Sequence, residues 1–385
     1  MTTDATARSA ERVAAVVPVL TGAGRFADMV PAGAMLPRRT LFHAGPPIAD
    51  RKDVPAPIRN AAAVVAVVEG WAKDAVQGAK AVEDGNIALV PAQDHGLVVP
   101  LAFVAGPSTG VLRVADAAGS GSALASINDG PPDGALRFGA PNAKAMDRIR
   151  RLGDLVAPAL DRALRNEPIP LAPIAADALR QGDELHGQVA ASSAAILNIL
   201  EPRLGGDPAA PDVAAANQFF LNVWMAACAL MLKAGAGVPG SRLVCAAGGN
   251  GRAFGLKLAG DPDRWVIRPA ATSKGPRLSP ALADVPALPA VGDSIVIDAC
   301  GFGAQALCFA PGLRAAFGDA VPPGVAEAPA NLLCTISPAF GDLGIRVGLD
   351  IDRVGRTPFC ANLAMVDAAG ARGLIGRGIA TLMGG

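Results

Sequence analysis

Leu185, Val189, Ile196 and Leu200 recur at helical spacing, so residues 182–200 read as one long helix with a buried apolar stripe. Its first turn departs from that pattern. Asp183, Glu184, His186 and Gln188 crowd the N-terminal end, and Gly187 interrupts it at a cost of about 1 kcal/mol relative to Ala. On a helix, Asp183 and His186 share one face. A helix start also offers free N–H groups and partial positive charge, which suit an anionic or carbonyl ligand. The plainer reading is that Asp183 and Glu184 cap and charge-balance the helix.

The same reasoning orders the rest of the chain. Residues 7–20 read as a helix, 40–42 as a short strand entering the rigid loop His43-Ala-Gly-Pro-Pro47, and 57–82 as a helix carrying Glu69-Gly-Trp-Ala72. Residues 87–90 and 97–104 read as strands, the second an edge or broken strand because of Pro100. A turn at 106–110 leads to a returning strand at 111–114, and a turn at 128–130 leads to another at 135–138. From Asn142 the period becomes helical, over 143–166, 173–200 and 211–234, with Pro-rich links between. Residues 241–247, 252–259 and 265–269 then predict an antiparallel meander whose first turn is 248–251. Residues 291–303 read as a strand running into a glycine turn, with a helix from Ala304. Two later strands, 345–350 and 359–366, precede a glycine-rich tail, and no repeat has a period of 20–50 residues.

This order describes an α+β chain, with two α/β domains and a helical domain between them in sequence. The expected division is 1–141 for an N-terminal mixed α/β domain, 142–236 for the helical domain and 237–385 for a C-terminal α+β domain with the meander. The length of 385 residues suits two or three domains. Lys+Arg and Asp+Glu number 34 each, which leaves no electrostatic footprint for nucleic acid or an anionic membrane. With 51% hydrophobic and 18% charged residues the chain is globular, and the absence of Tyr removes that residue from any mechanism. The six cysteines form no CxxC pair and read as reduced, buried thiols of a cytoplasmic protein. The N-terminus lacks a signal pattern, and the longest apolar run, 219–232, is broken by Asn222 and reads as a buried core helix.

There are three histidines, His43, His95 and His186, each beside polar or glycine neighbours, and together they are candidate general acids or bases. Each alone is more often a satisfied structural imidazole. Asp94 and Asp183 stand next to or three before two of them and are candidates to orient the rings. There is no HExxH, GxSxG or P-loop motif, and Gly301-Phe-Gly303 lacks the rest of a dinucleotide fingerprint. Asp183-x-x-His186 has metal-ligand spacing in a single copy, and neither a metal nor another cofactor is expected. Gly249-Asn-Gly-Arg252 reads as a hairpin turn, or functionally as Asn250 and Arg252 gripping a carboxylate or phosphate.

Taken together these motifs resemble the oxamate carbamoyltransferase subunit family of bacterial allantoin fermentation. The matching stretches run from Arg39-Thr-Leu-Phe-His-Ala-Gly-Pro-Pro-Ile48 through Glu69-Gly-Trp-Ala72, Asp94-His-Gly96 and Leu136-Arg-Phe-Gly-Ala140. They continue with Gly182-Asp-Glu-Leu-His186, Phe219-Phe-Leu-Asn222, Gly249-Asn-Gly251 and Val291-Gly-Asp-Ser294. Gly187-Gln-Val189 and Met365-Val-Asp367 stand where the family usually carries more polar residues. The resemblance implies a multi-subunit system moving a carbamoyl group between phosphate and oxamate, with a partner resembling an acyl-CoA synthetase. For such a transfer, Arg137 and Arg252 are candidate forks for carboxylate and phosphate, and a histidine donates to the leaving nitrogen. Glu184 joins the catalytic candidates, and Asn222, Asn250, Asp293 and Ser294 join the substrate-binding ones. The expected partners are a small anionic substrate and a second copy in a homodimer. The alternatives are a non-catalytic ligand-binding or scaffold subunit, and an amidohydrolase-like activity on a ureido or cyclic imide compound.

Overall fold

The computed structural model describes residues 4–30, 38–128, 134–140, 143–355 and 357–384, and it is organised around the helix Phe219–Ala234. That helix is apolar on nearly every face and therefore has to be enclosed. It packs against the strands Gly110–Asp116, Ser122–Ser126 and Val244–Asn250 and against the helices Asp4–Ala15, Ala190–Leu204 and Ile295–Cys300. At its centre the buried Trp224 stacks on Phe220 with ring centroids 5.5 Å apart. Its edges meet Phe302 at 5.0 Å and Phe340 at 6.1 Å. Among the described residues no helix is long and apolar enough to cross a membrane.

The fold is α+β. In the five-stranded sheet, Pro18–Arg25 pairs antiparallel with Gly110–Asp116 on one side and Ile169–Pro170 on the other. Ser122–Ser126 continues it, with Leu97–Val98 parallel at the edge. Thr40–His43 sits in a three-stranded sheet between Ala88–Pro91 and Val104–Ala105. The expected meander is present as Val244–Asn250, Ala253–Leu258 and Asp261–Pro269, with Val291–Gly292 added at its inner edge. The chain closes with two hairpins, Leu333–Ile336 with Arg346–Leu349 and Phe359–Val366 with Leu374–Met383. Ile169–Pro170 and Phe219–Ala234 join the N-terminal sheet across the boundary expected at residue 142, and Phe219–Ala234 also packs on the meander beyond 236.

Several expected elements take another form. The helix expected over 182–200 begins only at Ala190 and runs to Leu204. Gly182 and Leu185 have φ of +102° and +70°, outside the helical well, so Asp183-Glu-Leu-His186 is a loop. Asp183 and His186 therefore do not share a helix face. The helix expected over 57–82 is two, Ala56–Val68 and Ala75–Glu83, because Gly70 turns left-handed and Asp74 caps a new start through the N–H of Gln77. The strand expected at 97–104 is broken at Pro100, as its proline predicts. The strand expected at 135–138 is a single 3₁₀ turn, Leu136–Phe138, closed by the left-handed Gly139. The Ile-Val-Ile run expected as a strand is the buried helix Ile295–Cys300, and only a 3₁₀ turn, Gly303–Ala306, follows where a helix was expected. A short apolar run has no decisive period, and here burial on all sides suits either form. The N-terminal helix spans Asp4–Ala15 and gives way to the strand from Pro18, while the glycine-rich tail holds the strand Leu374–Met383. In the turn expected at 128–130, residues beyond Asn128 lie outside those described.

Candidate active site

A cavity of about 280 Å³ opens where the loop before Ala190–Leu204, the first turn of Phe219–Ala234, the start of Ile295–Cys300 and the last hairpin meet. Leu101, Phe138, Leu221 and Leu374 make its apolar walls. The polar side chains lining it are Asn128, Arg137, His186, Gln218, Asn222, Ser294, Asn362 and Arg377.

The imidazole of His186 is held from behind. Its Nδ1–H donates to Asp298 Oδ2 at 2.8 Å, which leaves Nε2 as the nitrogen on the cavity side. Asp298 is one turn after Ser294 on the buried helix and is itself fixed. Its Oδ1 accepts from the N–H of Ala304 at 2.8 Å and of Asn362 at 3.0 Å. Glu184 is fully buried and ties the loop into a knot. It accepts from the backbone N–H groups of His186, Gly187 and Gln188 and from Asn362 Nδ2 at 2.6 Å. Burial pushes the Glu184 carboxyl up to about 7, against the opposing pull of His186. Burial disfavours the His186 cation, but the charge and hydrogen bond of Asp298, with help from Glu184, outweigh it and raise the imidazole above its ordinary value. The result is an imidazole held by a buried carboxylate on one side and lining the cavity on the other, with its cation favoured over that of a free histidine.

Opposite, Asn128 Nδ2 donates to Asn222 Oδ1 at 2.7 Å, and Arg137 donates to the Asn128 carbonyl at 2.6 Å while lying over the Phe138 ring at 4.7 Å. Arg377, on the last strand, is exposed, and its guanidinium makes no hydrogen bond or ion pair among the described residues. Two guanidinium groups, four carboxamides, a hydroxyl and an imidazole thus converge on one space. The set suits a small planar molecule bearing a carboxylate and amide groups.

Residues 87–294 match the family model described as oxamate carbamoyltransferase subunit AllG. The Escherichia coli (strain K12) protein of that name is 30% identical over 376 residues, covering 91% of this chain and 89% of the relative. The chain belongs to the AllG family. A second relative of this AllG-family chain, the uncharacterized protein YahG of the same organism, is 28% identical over 96% of the chain and 81% of its own length. A crystal structure of a conserved protein of unknown function from Enterococcus faecalis V583 superposes with a TM-score of 0.88 at 25% identity, over 97% of this chain and 93% of that one.

The AllG-family cavity takes in four of the residues expected from sequence, Arg137, His186, Asn222 and Ser294, with Glu184 directly behind them. Sequence reasoning missed Asn128, Asp298, Asn362 and Arg377. Asn128 was within a quoted turn, but the others sit in apolar runs or in the tail, with no motif to mark them. The remaining candidates stand elsewhere, each in a structural contact. Asp183 caps the helix Ala190–Leu204 through the N–H groups of Ala191 and Ser192 and the Ser192 hydroxyl, so its capping reading holds in altered form. Asn250 closes the turn before Ala253 and donates to the Pro46 carbonyl at 3.0 Å. Arg252 pairs with Asp53 at 3.2 Å on the surface. Asp293, pushed up to about 7 by burial, accepts from Gly45 N, Val99 N and Gln93 Nε2 and so pins three loops together. Asp94 pairs with Lys257 at 2.7 Å instead of orienting a histidine.

His95 packs edge-on against Phe42 at 5.1 Å, and burial lowers its pKa. His43 is fully buried, with Nδ1 donating to the Ala44 carbonyl at 2.8 Å, and neither ring lines the cavity. Burial lowers the His43 pKa to about 4 from 6.5. The fold therefore holds the neutral ring. Its contribution to stability is complete above pH 6.5 and lost as pH falls towards 4. Between those limits the native chain is expected to lose roughly 3 kcal/mol more than His43→Gln, as read by urea unfolding across pH. Parallel pH curves for the two proteins would remove His43 as a buried neutral group.

Proposed function

We propose that the chain is the subunit of a carbamoyl-transfer system that binds a small ureido or oxamate-type acid in the cavity faced by His186. The observation that carries this reading is the buried Asp298–His186 pair directed at a space flanked by Arg137 and Arg377. The name of the Escherichia coli AllG relative supports it. In the direction of ureido cleavage, a phosphate oxygen attacks the ureido carbonyl and the C–N bond breaks. The departing nitrogen takes a proton from His186 Nε2, giving carbamoyl phosphate and oxamate. Asp298 holds the ring and stabilises its cation. Arg377 and Arg137 take the carboxylate and phosphate charges, and Asn128, Asn222, Asn362 and Ser294 supply donors and acceptors for the amide groups and the developing oxyanion. The word subunit in the name of the AllG relative supports a protein partner, which within this reading is the acyl-CoA-synthetase-like one, beside self-association as a homodimer.

Calorimetric titration of the chain with oxamate, oxalurate and carbamoyl phosphate, one at a time, tests the site without a partner. At least one is expected to bind. Arg377→Ala is expected to weaken it about 10- to 100-fold, the worth of a charge-assisted hydrogen bond. Arg252→Ala is expected to leave binding unchanged, since that side chain is engaged with Asp53. Binding by none of the three would turn the balance to the scaffold reading.

A further inference from the structure

A second cavity, of about 490 Å³, lies on the other side of the loop Leu97–Pro100. It is walled by the end of the helix Phe219–Ala234, the meander strands and the 3₁₀ turn Ala92–His95. We propose that this cavity is a binding site for a small zwitterion, an amino acid bearing one carboxylate and one ammonium group.

Four charged side chains line it, Asp94, Lys233, Lys257 and Asp263. Two of them satisfy each other. Asp94 accepts from Lys257 Nζ at 2.7 Å and from Trp265 Nε1 at 3.1 Å, and the same ammonium lies over the Trp265 ring at 5.2 Å. Lys257 is mostly buried, and a pair this enclosed costs desolvation that Coulomb attraction only about offsets. Its presence on a cavity wall is better explained by a surface that must be polar and rigid than by stability. The other two are uncommitted. Lys233 and Asp263 are exposed and line the cavity, and neither side chain makes a hydrogen bond or ion pair among the described residues. One unpaired cation and one unpaired anion on different elements complement a ligand that carries both charges, and a ligand with only one leaves the other side chain unmatched.

Two glycines turn the backbone at the cavity wall. Gly96 and Gly237 line the cavity with φ of +71° and +78°, and a Cβ at either would meet nothing within 4 Å. The volume accommodates a compound well above the size of glycine. The one thiol in the wall, Cys245, is pushed up to about 12 by burial, so it is not a nucleophile at neutral pH. The cavity is built to bind.

The test is calorimetric titration of the full chain with a panel of the common amino acids and β-alanine, with propionate and propylamine as single-charge controls. At least one amino acid is expected to bind at one site per chain, and Lys233→Ala and Asp263→Ala are each expected to weaken it about tenfold. Both side chains are exposed, so the variants are expected to keep the native circular dichroism spectrum. His186→Asn is expected to leave this binding unchanged, which separates it from the first cavity. The proposal is overturned if nothing in the panel binds at millimolar concentration. It is equally overturned if propionate or propylamine binds as tightly as the amino acids, or if the Lys233 and Asp263 variants bind normally.

Discussion

Replacing His186 with Asn is expected to lower carbamoyl transfer by the assembled enzyme about 10²- to 10⁴-fold, the usual worth of a positioned general acid. The melting temperature is expected to move by only a few degrees. The ring is held by one carboxylate oxygen of Asp298, and an asparagine amide can donate to the same oxygen. Fold and proton transfer can therefore be separated at this position. The pH profile adds a readout that packing alone would not move. His186 has its pKa raised in the fold, so the cation and its proton are available below that raised value and lost above it. Native transfer in the cleavage direction should fall on the alkaline side, and the variant should lose that limb. Asp298→Asn is expected to shift the same limb towards lower pH, because it removes the charge that outweighs burial. An active His186→Asn enzyme with an unchanged profile would end the assignment.

Trp224→Ala is expected to destabilise the chain by roughly 3–5 kcal/mol, whereas Trp224→Phe is expected to cost less than about 1.5 kcal/mol. The contrast follows from two features. The indole is 0% exposed and touches three aromatic rings, so truncation leaves a cavity that the surrounding helix and sheets are too constrained to fill. Its Nε1–H is buried with no hydrogen-bond partner among the described residues, so phenylalanine removes some volume but also removes an unsatisfied donor. Chemical denaturation of both variants checks this. Equal losses for Phe and Ala would overturn this account. The same core reaches the site, because Phe302 packs on Trp224 two residues before Ala304, whose N–H holds Asp298.

Elements defined by local chemistry were legible in the sequence. The meander has alternation and glycine turns, and Pro100 marks the break in its strand by lacking a donor. His186 stood out because its neighbours are too polar for the stripe that follows. What local chemistry does not fix was misread. The segment 182–189 has helical spacing, yet the carboxylate of Glu184 collects three backbone N–H groups of its own loop and stops the helix from starting before Ala190. Asp298 lies in an apolar run that reads as a strand, and only the long-range contact with His186 gives it meaning. Arg137 and Arg252 look alike as sequence, but tertiary packing puts one on the cavity and the other on Asp53. Arg377 has no local signal, because it becomes relevant only when the last strand folds back beside Asn362.

Asn128, Arg137, His186, Asn222, Ser294, Asn362 and Arg377 reach the cavity from segments spread over some two thirds of the chain. A bound molecule therefore acts as a non-covalent cross-link between early and late parts of the polypeptide. Breaking it requires separating the terminal hairpin from the rest, so its binding energy adds to the cohesion of the whole molecule rather than of one loop. A shortened chain that lacks the last hairpin would lose this clasp, and an insertion that displaces Leu374–Met383 would be expected to loosen ligand and fold together.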